Sequence, residues 1–105
     1  PVLCSAILPV NEKLYAIHGG PSSVGNARIR ALNALLEPLC AENGRCVFVD
    51  AGPGLADETG NLRVSYQDGD GIHLNSAGNR VWADTLREAI GRIRLNASRL
   101  PIVGK

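Results

Sequence analysis

The chain has 105 residues, 45% of them apolar and 20% charged, which suits one folded unit, since domains commonly run ~100 to 150 residues. A second domain and a disordered chain are both excluded on that ground. Eleven Lys and Arg against ten Asp and Glu leave a net charge of +1, so no strong global field draws the chain to nucleic acid, and no apolar run approaches the ~20 residues that span a bilayer.

Residues 2–8, Val-Leu-Cys-Ser-Ala-Ile-Leu, form a nearly unbroken apolar run closed by Pro9, the pattern of a strand buried on both faces in a parallel sheet. The preceding start, Pro1-Val2-Leu3-Cys4, lacks the basic opening of a signal peptide. Over residues 24–43, Ala27, Ile29, Leu32, Leu36, Leu39 and Cys40 recur at three- and four-residue spacings, with Ser22 or Ser23 as N-cap and Gly44 just past the end. That predicts an amphipathic helix, whose last turn Pro38 should kink or loosen by removing one backbone donor. Residues 46–49 read as a second short buried strand, closed by Asp50 and the turn-rich Ala51-Gly52-Pro53-Gly54. Strand, helix and strand make a βαβ unit with a right-handed crossover. A second helix is predicted over residues 76–94, with Trp82, Leu86, Ala89, Ile90 and Ile93 on one stripe and Asn75 or Ser76 as cap. Residues 96–105 read as an irregular tail.

Charge is uneven along the chain. Residues 51–75 carry one basic group against four acidic ones, and residues 76–105 carry six against two. The tail arginines Arg80, Arg87, Arg92, Arg94 and Arg99 read as a solvated helix face rather than an anion site. The three cysteines read as free thiols, with Cys4 and Cys46 inside apolar runs; a Cys40–Cys46 bridge is the less favoured alternative. Their spacing with the two histidines fits no zinc site. Asn96-Ala97-Ser98 matches a glycosylation sequon, a pattern too short to mean much alone.

Residues 9–23 and 51–75 form connections of 15 and 25 residues, far beyond the ~2 to 6 usual between strands and helices, and both leave the carboxyl end of a strand. In open α/β sheets ligands bind at that rim, because loops there face one another across a crevice. Asp70-Gly71-Ile72-His73-Leu74-Asn75 closes the longer loop just before a helix N-terminus. Gly71 lets the loop turn tightly, so that Asp70 can accept a bond from one imidazole nitrogen of His73 and leave the other to take a proton. The helix N-terminus disfavours imidazolium while Asp70 favours it, a balance that suits a general base near neutral pH. The competing expectation is that this pair only braces a surface loop. His18, on the other long loop, reads as a solvated histidine, Trp82 as core and Asp50 as a turn former.

The block Asp70-Gly71-Ile72-His73-Leu74-Asn75 with Gly78 resembles the last motif block of the SGNH (GDSL-type) hydrolases, where the Asp and His complete a Ser-His-Asp triad. The run Ile7-Leu8-Pro9, then Asn26 and Asn33, then Val47-Phe48-Val49-Asp50, and Gly60-Asn61-Leu62 before Tyr66 are similar to the acetylhydrolase-like and acetylesterase-like branch. The likeness covers roughly residues 1–95. The Gly-Asp-Ser nucleophile block and the blocks that supply the oxyanion glycine and asparagine have no match in this chain.

The resemblance therefore implies an α/β fold that is the C-terminal half of a flavodoxin-like parallel sheet with flanking helices, residues 1–105 being a partial SGNH hydrolase-like domain. It implies part of a serine ester hydrolase acting on a small acyl ester, with catalytic Asp70 and His73, no metal and no organic cofactor. The serine and oxyanion donors are expected from elsewhere. A bare strand edge also predicts association, either with an N-terminal half of the same enzyme or with a second copy. The alternative is a noncatalytic remnant or interaction module that associates through that edge.

Overall fold

A computed structural model describes residues 1–17, 19 and 25–99, with side chains through 96. His18, the Ser22 and Ser23 cap candidates and the last residues of the expected tail lie outside the described residues. In chain order the elements are β1 (Val2–Ser5), α1 (Glu12–Ile17), α2 (Asn26–Glu42), β2 (Cys46–Val49), α3 (Gly52–Leu55), a 3₁₀ turn at Val64–Tyr66 and α4 (Ser76–Arg99). The two strands pair in parallel, Val2 opposite Cys46 through Ser5 opposite Val49. The architecture among the described residues is a small α/β arrangement of a two-stranded parallel sheet and four helices.

The two long helices cover opposite faces of this sheet. Cys46 is joined by a disulfide to Cys40 of α2, whereas Ser5, in register with Val49, accepts a 3.1 Å bond from the Trp82 indole of α4. Residues 46 and 49 are an odd number apart, and successive strand side chains point to opposite faces. Trp82 thus packs as expected, with its indole N–H satisfied.

The disulfide corrects the expectation of free thiols at Cys40 and Cys46. The turn from α2 to β2 brings the two Cα atoms to 5.2 Å, within bridging range. The turn is also braced by its own backbone: Asn43 N–H donates to Cys40 O at 3.1 Å and Cys46 N–H to Asn43 O at 2.9 Å. Cys4 alone stays a free thiol.

The first strand is shorter than expected and is not buried on both faces. Val2 is 60% exposed, and Leu3, Cys4 and Ser5 are half-buried. Val2 and Ala6 donate their amides to Arg45 and Val49 at 2.7 Å each. By strand alternation Leu3 and Ser5 turn theirs to the other edge, where no strand lies among the described residues.

Past β1 the chain stays extended, and its backbone is satisfied by side-chain amides instead of a strand. Asn33 brackets Ile7, accepting from its N–H at 2.8 Å and donating to its C=O at 2.9 Å. Asn26 does the same for Val10 at 2.9 and 2.8 Å. These asparagines rotate α2 away from the expected orientation. Asn26, Ile29 and Cys40 are buried, while Leu32, Leu35 and Leu39 are 49%, 65% and 61% exposed, an apolar stripe on the outer side of α2. The helix runs through Pro38 to Glu42. Its first amide, on Asn26, donates to Glu12 of α1 at 2.8 Å, an acid placed at a helix N-terminus as the dipole favours.

The tightest packing lies beyond the strand tips. Ala51, Leu55 and Leu62 are buried together, against Leu8, Tyr66, Leu74, Val81 and Trp82. This cluster sits under the loop that carries Asp70 and His73. The expected irregular tail begins later than predicted, since α4 continues to Arg99. Ile90, expected in the packed stripe, is 43% exposed. Arg80, Arg87, Arg92 and Arg94 behave as a solvated face: Arg87 pairs with Asp84 at 3.0 Å and Arg92 with Glu88, all largely exposed.

Candidate active site

The loop over residues 67–75 is built from backbone outward. An antiparallel bridge joins Gln67 and Leu74, and Asp68 N–H donates to His73 O at 2.8 Å. Gly71 takes φ +83°, and a methyl group there would lie 2.6 Å from Asn11 O and 2.7 Å from the Tyr15 amide nitrogen. Only glycine fits this crossing. Gly71 O accepts from Asn11 N–H at 2.8 Å, and Asn11 donates its side-chain amide to Leu62 O at 2.9 Å. The loop is thereby stitched to the segment leaving the carboxyl end of β1, which places Asp70 and His73 at that rim.

Asp70 and His73 meet. Asp70 Oδ2 and His73 Nδ1 are hydrogen-bonded, while Asp70 Oδ1 accepts the amides of Ile72 and His73 at 2.9 Å each. Among the described residues nothing bonds His73 Nε2, and the ring is 75% exposed. The bond from the His73 ring, then the amides of His73 and Ile72, hold the Asp70 carboxyl well below the usual carboxylate range. The same bond, then the charge of Asp70 and more weakly that of Asp68, raises the His73 imidazole above its ordinary value of 6.5. The expected balance with the helix N-terminus therefore tips toward imidazolium. That end of α4 is occupied by its own cap, Asn75 Oδ1 accepting from Gly78 N–H at 2.9 Å, and Asp70 is in direct contact with the ring.

Gln67 and Asn75 were not singled out by sequence reasoning as loop organisers. Gln67 is 9% exposed, and its Oε1 accepts the amides of Gly69 and Gly71 at 2.6 and 3.0 Å. Asn75 donates to Ser65 O at 2.9 Å and Gln67 O at 3.2 Å. No periodicity signals such amide-to-backbone bonds.

Asp50 forms a turn as expected, accepting from Gly52 N–H at 2.8 Å. Next to His73, Ile72 lines an open apolar groove of about 550 Å³ with Leu8, Val10, Ile29 and Leu32, edged by Arg28. A cleft of about 170 Å³ between α2 and α3 holds Arg30, Asn33 and Asp50 and does not include His73. Among the described residues no group of three or more His, Cys, Asp or Glu side chains could hold a metal ion, and no helix is long and apolar enough to cross a membrane.

No family model matches the chain, and no curated protein matches it. A solved structure does. It comes from Streptococcus pneumonia, is described as "a putative platelet activating factor", and superposes with a TM-score of 0.75 at 28% sequence identity. The match covers 83% of this chain and 40% of that one. This chain thus spans less than half the length of that structure, and more than half of that structure has no counterpart here.

Proposed function

We propose that this chain is the Asp-His part of a serine ester hydrolase of the SGNH type, its α/β core being the C-terminal half of a flavodoxin-like sheet. The observation that carries the reading is the Asp70–His73 bond at the strand rim, with Nε2 open to solvent. A serine hydroxyl on a complementary segment gives its proton to Nε2 as its oxygen attacks the carbonyl carbon of a small acyl ester. The imidazolium, held by Asp70, then returns that proton to the departing alcohol, leaving an acyl-serine. Water repeats the cycle: Nε2 takes its proton, the carboxylic acid leaves, and the serine recovers its hydrogen. Oxyanion donors come from the complementary segment as well.

The complementary segment is an N-terminal half of the same enzyme, joined at the free edge of β1; a second copy of this chain covers that edge without supplying the serine, since the chain has no Gly-Asp-Ser block. The unpaired side of Leu3 and Ser5, the exposed Leu32, Leu35 and Leu39, and the length of the solved relative support that reading. Covering the His73 ring also removes water from it, which lowers the imidazole toward neutrality at physiological pH. That effect opposes the rise caused by the bond to Asp70 and by the charges of Asp70 and Asp68.

The apolar stripe also suits a noncatalytic interaction module, and one assay separates the two. The chain alone should be almost inert toward p-nitrophenyl acetate, and the complex that carries it should turn the ester over. His73→Ala should cut the rate of the complex on the order of 10² to 10⁴-fold. A complex without esterase activity favours the module, and full activity in His73→Ala removes His73 from the mechanism.

A further inference from the structure

A third side chain, Gln67, bonds both amides that flank Asp70. Asp70 stands between Gly69 and Gly71, two residues with φ +112° and +83°, and so on a stretch of backbone with little conformational preference of its own. Both flanking amides converge on one atom, Gln67 Oε1, at 2.6 and 3.0 Å. The other end of the same side chain, Nε2, donates to Val64 O at 3.2 Å. Gln67 is buried, and its backbone carbonyl accepts from Asn75. It therefore ties the acidic loop to the 3₁₀ turn and to the cap of α4.

We infer that Gln67 is a positioning residue for the Asp70–His73 pair, holding the Gly69–Gly71 backbone so that the carboxylate is aimed at the ring before any other segment arrives. The inference rests on the catalytic reading only for its kinetic consequence. The pair is preassembled in this chain alone, and a complementary segment need deliver only the hydroxyl and the oxyanion donors. Without Oε1 the two glycine amides lose their acceptor, the loop samples other conformations, and Asp70 spends less time on Nδ1.

Nuclear magnetic resonance of the His73 ring in the 105-residue chain tests this without an activity assay. Gln67→Met keeps the shape and removes both polar atoms. Gln67→Glu keeps the acceptor and loses the donor. Asn33→Ala removes a comparable amide bracket, at Ile7, whose bonds do not involve residues 67–75. The groups that set the titration are Asp70 in contact and Asp68 nearby.

The expected result is loss of the low-field Nδ1 proton in Gln67→Met, with the His73 midpoint falling toward that of a free imidazole. Gln67→Glu should retain the proton, with a midpoint unchanged or higher, and Asn33→Ala should retain both. An unaltered Nδ1 proton and midpoint in Gln67→Met overturns the inference, as does equal loss in Asn33→Ala. Should Gln67→Met fail to fold, Gln67→Glu decides: retention supports the role of the acceptor, and loss refutes it.

In the active complex the kinetic consequence is a lower kcat with KM unchanged for Gln67→Met. A complex inactive in every form sinks the hydrolase reading and leaves the ring measurement standing. An active complex in which Gln67→Met matches the parent sinks the positioning role alone.

Discussion

Asp70 grips His73 twice, through Oδ2 on the ring nitrogen Nδ1 and through Oδ1 on the His73 backbone amide. Ring and backbone of one residue are thus referenced to one carboxylate, so the direction of Nε2 follows from the loop. The electrostatic consequence is a lowered Asp70 and a raised His73.

These two shifts predict a pH window for stability. A raised imidazole contributes fully below its ordinary 6.5 and loses the contribution as pH rises through the folded value. A lowered carboxyl contributes above its ordinary 3.8 and loses the contribution as pH falls through the folded value. The melting temperature of the parent chain should therefore exceed that of His73→Ala most between pH 3.8 and 6.5, with the gap narrowing on both sides. Asp70→Asn should return the His73 titration toward its ordinary range. A gap that does not vary with pH contradicts the pairing.

Gly71→Ala forces a left-handed residue into the crossing with Asn11 and Tyr15. The expected loss is about 1–3 kcal/mol in urea unfolding, with displacement of the His73 ring. Gly44→Ala, where an added methyl meets nothing within 4 Å, is the comparison and should cost far less.

The Cys40–Cys46 bridge closes a short loop, and its loss should cost about 2 kcal/mol by the loop-entropy relation. Thermal unfolding with and without reductant measures this. Alkylation of the denatured, unreduced chain should label Cys4 alone. Labelling of all three cysteines contradicts the bridge.

Leu32, Leu35 and Leu39 should matter to association rather than to folding. In sedimentation at micromolar concentration the parent chain should associate. Leu35→Lys with Leu39→Lys should shift it toward monomer while changing stability by only about 0.5 kcal/mol or less per site. Leu55→Ala, at a fully buried site, should instead cost about 2–5 kcal/mol. A monodisperse parent monomer contradicts the association.

Much of this fold was readable from periodicity, and the failures have physical causes. The βαβ order and the span of α2 followed from runs and spacings, because long helices and buried strands repeat a pattern. Helices α1 and α3, of six and four residues, are too short to repeat one. The face of α2 was misjudged because spacing shows which residues share a side, not which side meets the sheet. Asn26 and Asn33 decide that by supplying bonds to an extended backbone. The Asp70–His73 contact was legible because only two residues separate the pair and one of them is a glycine. Gln67 and Asn11 were not, since their partners are backbone groups brought in by the fold. The Cys40–Cys46 bridge is the less favoured reading of the sequence because the tightness of the α2–β2 turn is not written in its spacing.

The most direct test is covalent labelling of the native complex that carries this chain with a fluorophosphonate, read by peptide mass spectrometry. The account predicts one modified serine outside these 105 residues, with labelling largely lost in His73→Ala. A modified serine within this chain, or labelling that persists without the imidazole, contradicts it.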